Sequence, residues 1–175
     1  MKRISTTVRA KAANIKLLLL DVDGVLTDGR IIIDDRGVET KHFHVRDGQG
    51  ISLLLRAGIE VGFLTSRYSK SLVYRARELD VKLVRQGVKD KLTTYQDIKR
   101  RRGLTDDQIA YLGDDLVDRP ILNVAGFAAC VADGWHELIS SVDFVTSQPG
   151  GKGAVREVAE ILLRAQGKWS KLTRE

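Results

Sequence analysis

Residues 15–20 form a short run that is apolar almost throughout and stops abruptly at Asp21-Val22-Asp23-Gly24. The run is too short for a helix and does not alternate with polar residues, as expected of a central strand in a parallel sheet covered on both faces. Similar runs fall at residues 61–64, 82–84, 109–112, 127–131 and 144–145. Between them lie segments of helical period, with apolar residues at Leu72, Val73, Ala76 and Leu79, then at Leu92, Tyr95 and Ile98. Behind Pro149-Gly150-Gly151, the residues Ala154, Val158, Ile161, Leu162 and Ala165 trace the stripe of a last packed helix. This alternation predicts an α/β fold, with a parallel central sheet and helices on both faces. One segment departs from it. Residues 30–34 and 38–43 flank Asp35-Arg36-Gly37, the pattern of a β-hairpin inserted after the first strand and too small to be a second domain. The expected organisation is an N-terminal tail over residues 1–14, one domain over 15–167 and a C-terminal tail over 168–175.

A chain of 175 residues can bury roughly two-thirds of its unfolded surface, so neither disulfides nor a structural metal are needed to hold it. Its single cysteine, Cys130, sits in an apolar run and predicts a small buried side chain in a reducing compartment. No apolar stretch approaches the roughly 18 residues of a membrane span, and the basic N-terminus lacks the apolar core of a secretory signal. A soluble cytoplasmic protein is expected. The net charge of +6 gathers at the ends, in Lys2, Arg3, Arg9 and Lys11 and in Lys168, Lys171 and Arg174. A solvated surface explains it best, an anionic small substrate next. Nucleic acid comes third, because aromatic residues are sparse and not interleaved with the basic ones. The run Lys99-Arg100-Arg101-Arg102 ends a helical segment, where cations complement the helix dipole.

In an open α/β sheet, ligands bind beyond the carboxyl ends of the strands. Four positions there or just beyond carry chemistry. Asp21-Val22-Asp23-Gly24-Val25-Leu26-Thr27 places two carboxylates two residues apart, a repulsion that a hard divalent cation such as Mg²⁺ would offset. Leu64-Thr65-Ser66-Arg67 brings a hydroxyl and a guanidinium suited to phosphoryl oxygens and a carboxylate. Lys91 stands just inside a helix start, where its charge opposes the dipole and a functional use is favoured. Gly113-Asp114-Asp115-Leu116-Val117-Asp118 completes an acidic cradle. No His or Cys cluster has zinc spacing, and Gly150 to Gly153 lacks the Gly-Lys-Ser/Thr of a nucleotide-binding P-loop.

An Asp-x-Asp strand end, a Ser/Thr strand end, a lysine and an acidic cluster, in that order, resemble the haloacid dehalogenase (HAD) superfamily. The strings Phe43-His44-Val45-Arg46-Asp47-Gly48-Gln49-Gly50-Ile51, Gln86-Gly87 and Gly150-Gly151-Lys152-Gly153-Ala154-Val155-Arg156-Glu157 extend the resemblance to the 3-deoxy-D-manno-octulosonate 8-phosphate (KDO 8-phosphate) phosphatase family. That family is capless and tetrameric, with the hairpin and tail of a neighbouring subunit helping to close each site.

The resemblance implies a Rossmann-like HAD fold and a Mg²⁺-dependent phosphatase of lipopolysaccharide biosynthesis. It makes Asp21 the nucleophile and Asp23 the acid and base. Thr65 and Lys91 would hold the phosphoryl group, and the metal would be bound by Asp21, by the backbone carbonyl of Asp23 and by Asp114, with Asp115 and Asp118 in support. Substrate contacts map onto Asp23, His44, Val45, Arg46, Asp47, Gly48, Arg67, Arg75 and Lys91, with arginines suited to a 2-keto carboxylate. Three positions depart from the family pattern: Ser66 stands for a glycine, His44 for a common asparagine and Ser52 for an arginine found in some members. The competing readings are a phosphatase for a nine-carbon sugar-acid 9-phosphate and a non-catalytic oligomerisation domain. Arg67 and the Val-Arg-Asp-Gly string favour the eight-carbon branch. His42 and His136 are given no role.

Overall fold

The computed structural model describes residues 4–172. Lys2, Arg3 and Arg174 of the basic termini lie outside that range. Six strands form one parallel sheet: β1 (Leu17–Leu20), β4 (Glu60–Leu64), β5 (Leu83–Arg85), β6 (Ile109–Gly113), β7 (Phe127–Cys130) and β8 (Phe144–Val145), in the order β5-β4-β1-β6-β7-β8. β1 pairs with β4 on one side and with β6 on the other, so the chain reverses its winding around β1. Such a reversal opens a crevice at the carboxyl ends of the flanking strands.

The apolar run of β1 is explained by two cores. Leu18 and Leu20 pack into one, Leu17 and Leu19 into the other, all four fully buried. The first core lies under α1 (Thr6–Ala13), α2 (Val45–Arg56), α3 (Lys70–Glu78) and α7 (Ala154–Ala165). The second lies under α4 (Lys91–Arg102), α5 (Arg119–Leu122) and α6 (His136–Ile139). The stripe on α7 buries Val155, Val158, Ile161 and Leu162 against α1 and α2. Each such side chain contributes about 1.5–3 kcal/mol of transfer free energy.

Three features differ from the sequence expectation. The hairpin is shorter: β2 (Ile32–Ile33) and β3 (Glu39–Thr40) share a ladder of two residue pairs. Its turn is closed by Asp34, whose Oδ1 accepts from the N–H groups of Arg36 and Val38. Residues expected to form a strand beyond it instead lead into α2, whose helical character is masked by Asp47, Gly48 and Gly50 in its first half. Finally, the ends are built into the domain. The assigned N-terminal tail contains α1, which buries Val8 and Ala12 on the core and is tied down where Gln166 Nε2 donates to the Ile15 carbonyl at 2.8 Å. Within residues 168–172, α8 (Trp169–Leu172) places Trp169 under the guanidinium groups of Arg156 and Arg164. No helix among the described residues is long and apolar enough to cross a membrane.

Asp47 has a structural task that its sequence context hides. Its carboxylate on α2 is 1% exposed, and its two oxygens accept from Gly153 N at 3.1 Å and Arg156 N at 2.8 Å. These are N–H groups at the start of α7, which no carbonyl of that helix can satisfy. A carboxylate there also faces the positive end of the dipole.

Candidate active site

The carboxyl ends of β1, β4 and β6 open into a cleft of about 190 Å³ lined by Asp21, Asp23, Thr65, Arg67, Lys91 and Asp114 together with Ser66, Asp115 and Val117. Asp21 is held at the end of β1 by its N–H, which donates to the Leu112 carbonyl at 3.1 Å. Thr65 is fixed in the same way on Arg85. Lys91 is the first residue of α4 behind Asp90, whose side chain caps the helix through Thr93 N.

Lys91 lies between two carboxylates, its Nζ 2.8 Å from Asp21 Oδ1 and 2.7 Å from Asp118 Oδ1. Burial opposes the ammonium, but Asp21 and Asp118 outweigh it and raise the group above the ordinary lysine range. Asp118 is fully buried and saturated with donors. Oδ1 also accepts from Tyr111 Oη at 2.6 Å, and Oδ2 accepts from Asp114 N at 3.0 Å.

Carboxylate oxygens of Asp21, Asp114 and Asp118 fall within 4.8 Å of one another. Burial and then Asp118 push Asp21 up to about 6, against the pull of Lys91. Burial, then Asp21 and Asp118, push Asp114 up to about 9. Asp114 Oδ1 is buried without a hydrogen-bond partner. An all-oxygen set with excess negative charge and an orphaned acceptor fits a hard divalent cation. Because the oxygens of Asp118 are already taken, Asp21 and Asp114 are the side chains left to hold it. Gly24, at φ 94°, is required here, because a Cβ would overlap the Asp114 carboxylate.

Asp23 sits at the cleft edge. Its Oδ2 is 3.5 Å from Thr65 Oγ1 and 4.0 Å from Arg67 Nε, and its Oδ1 pairs with Lys41. Lys41 also lies 2.9 Å from Glu39 Oε1, while Arg67 Nη2 donates to Glu39 Oε2 at 2.6 Å. Burial pulls the Lys41 ammonium down, and Asp23 and Glu39 more than reverse this. Lys41, Glu39 and Tyr111 belong to no motif, and no sequence signal marks them as neighbours of the site.

A family model described as haloacid dehalogenase-like hydrolase matches residues 63–157. The 3-deoxy-D-manno-octulosonate 8-phosphate phosphatase KdsC of Escherichia coli strain K12 is 45% identical over 165 residues, covering 94% of this chain and 88% of its own. The chain belongs to the KDO 8-phosphate phosphatase family of haloacid dehalogenase-like hydrolases. Solved structures of the family agree with the fold. The Yersinia pestis phosphatase superposes with a TM-score of 0.94 at 41% identity, covering 95% of this chain and 90% of that one. The Moraxella catarrhalis phosphatase, crystallised with magnesium ion, phosphate ion and KDO, gives 0.94 at 40% identity, over 95% and 96% of the two chains.

The rest of the substrate block mapped from the KDO 8-phosphate phosphatase family does not line this cleft. His44 caps the backbone start of α2, with Nδ1 3.8 Å from Asp47 Oδ2. Val45 is 81% exposed. Arg46 lines a separate, larger cavity of about 620 Å³ beside Lys152, Arg156 and Glu157. In that cavity the Ser147 hydroxyl donates to Glu157 Oε1 at 3.1 Å, but none of Asp21, Asp23, Thr65, Lys91 and Asp114 lines it, so its size does not make it the catalytic site. Asp47 is committed to α7, and Gly48 lies under Arg75, where a Cβ would meet the guanidinium. Arg75 itself pairs with Glu78 at 2.8 Å and lies over the Phe43 ring.

Proposed function

We propose that the chain is a Mg²⁺-dependent phosphatase that releases inorganic phosphate from 3-deoxy-D-manno-octulosonate 8-phosphate through an aspartyl-phosphate on Asp21, as a step of lipopolysaccharide sugar synthesis. The observation that carries this reading is the convergence of Asp21, Asp23, Thr65, Lys91 and Asp114, from four separate stretches of chain, on one cleft.

An ionised Asp21 needs no base to attack phosphorus. As its oxygen bonds to phosphorus, the bond to the sugar oxygen breaks and Asp23 gives that oxygen its proton. Asp23, now a carboxylate, takes a proton from water, whose oxygen attacks the same phosphorus and returns Asp21 as a free carboxylate. Thr65 and Lys91 hold the phosphoryl oxygens throughout, at fixed positions that need no reorganisation during the reaction. Mg²⁺, held by Asp21 and Asp114 with the Asp23 carbonyl, offsets the negative charge of phosphate and nucleophile. Arg67 supports the eight-carbon sugar acid as substrate, since it lines the cleft with a partly exposed side chain and a guanidinium suits a ligand carboxylate.

Side by side with Mg²⁺, the eight-carbon phosphate is expected to exceed a nine-carbon sugar-acid 9-phosphate in kcat/KM by tenfold or more, about 1.4 kcal/mol of transition-state binding. The reverse order would move the chain to the nine-carbon branch.

We further assign a homotetramer in which the hairpin reaches a neighbour. Ile31, Ile33 and Val38 on the hairpin are each more than half exposed, and the block from His44 to Gly48 adjoins it outside its own cleft. A solution mass of about four chains is expected by light scattering, and a monomer would overturn the assignment. The buried free Cys130 supports action in the cytoplasm, which cell fractionation checks.

A further inference from the structure

Lys41 has no part in the chemistry just described, yet its side chain is 4% exposed at the foot of a hairpin whose residues 31–38 face solvent. A lysine free to choose sends its ammonium to water. This one is held under by two carboxylates, pairing with Asp23 Oδ1 and lying 2.9 Å from Glu39 Oε1. Glu39 in turn receives Arg67 at 2.6 Å. With Asp23 as the carboxylate it becomes once it has protonated the leaving oxygen, the four charges alternate in sign and sum to zero, the condition under which such burial is tolerated.

The arrangement fixes Asp23 from two sides. Lys41, on the hairpin, takes Oδ1, while Thr65 and Arg67, beyond β4, face Oδ2. A group that must hand a proton to one oxygen and later take one from water depends on such placement, and small displacements are costly in rate. The hairpin needs the same contacts, because a ribbon with two paired residues per strand does not hold its own position.

We propose that Lys41 is a positioning residue that sets the orientation of the Asp23 carboxyl for protonation of the leaving oxygen, and so couples docking of the hairpin to the first chemical step. The inference rests on the phosphatase reading above.

The test compares two substrates by kcat/KM, which ends at cleavage of the first P–O bond. A sugar-acid phosphate has an alkoxide leaving group that must be protonated, whereas the nitrophenolate of p-nitrophenyl phosphate departs without a proton. For Lys41→Met, the sugar phosphate is expected to lose about 10²-fold and p-nitrophenyl phosphate less than about threefold. Lys41→Arg keeps the charge and is expected to retain most of the sugar-phosphate rate. Lys41→Ala is expected to regain part of it on addition of n-propylamine. Equal losses on both substrates, or no loss on the sugar phosphate, overturn the proposal. Loss of folded structure in all three variants by circular dichroism also overturns it, in favour of a folding role. If the unaltered protein with Mg²⁺ releases phosphate from neither substrate, the phosphatase reading itself fails, which is a different result from failure of a Lys41 variant alone.

Discussion

Asp21→Asn is expected to lower phosphate release by about 10⁴-fold or more, because a carboxamide cannot displace an alkoxide from phosphorus and no other group occupies its place. The fold should survive. The carboxamide oxygen can still accept from Lys91, 2.8 Å from Asp21 Oδ1, and the substitution removes one of three mutually repelling acids. Thermal unfolding of the metal-free variant should therefore occur at or above the temperature of the parent. Phosphate release measured alongside circular dichroism separates the two effects. Undiminished release from a folded variant would remove Asp21 from the chemistry.

Chelation of the metal is expected to take activity to background and to lower stability by an amount that grows with pH. The sign follows from the raised affinities of Asp21, about 6, and Asp114, about 9, for their protons. Without metal, the folded chain binds more protons than the unfolded one between about pH 4 and pH 9, so stability falls as pH rises through that window. The contribution is complete below the ordinary carboxylate range and is lost as pH passes the folded values. A divalent cation takes the place of those protons, so it stabilises most where they are absent. At a concentration one hundred times its Kd at pH 8, Mg²⁺ should add about 2.7 kcal/mol. That corresponds to about 5–10 °C in Tm for a chain of this size. At pH 5 the shift should be much smaller. Equal shifts at the two pH values, or none at either, would mean that Asp21 and Asp114 do not share an ion.

The sheet and the floor of the cleft were legible because each is written in consecutive residues. A strand buried on both faces announces itself as an uninterrupted apolar run, and the residues just after it are the ones the topology delivers to the crevice, as with Leu20 followed by Asp21. Contacts made across the fold leave no such trace. Lys41 reads as a surface residue of a hairpin, and although Glu39 stands two residues before it, nothing in the sequence reveals that Asp23 faces it from the first loop. Tyr111 reads as one more apolar strand residue, although its hydroxyl supports Asp118 beneath Lys91. Asp47, within a string shared with the family, looks like a substrate contact while its oxygens are committed to α7. The first helix escaped notice because two small contacts, Val8 and Ala12, carry its burial and leave a weak periodic signal.

The carboxylate of Asp47 closes a mechanical circuit. It grips the start of α7, whose preceding glycines sit so tightly against the first loop that a methyl group on Gly150 would collide with the Gly24 carbonyl, and Gly151 N donates to the Val25 carbonyl at 2.9 Å. From that loop, Asp23 returns through Lys41 to the hairpin, and the hairpin leads back into the helix that carries Asp47. Parts far apart in the chain thus form one closed ring of contacts. A substitution at the start of α7 is therefore expected to lower kcat/KM on the sugar phosphate through the placement of Asp23, although it touches no group of the cleft.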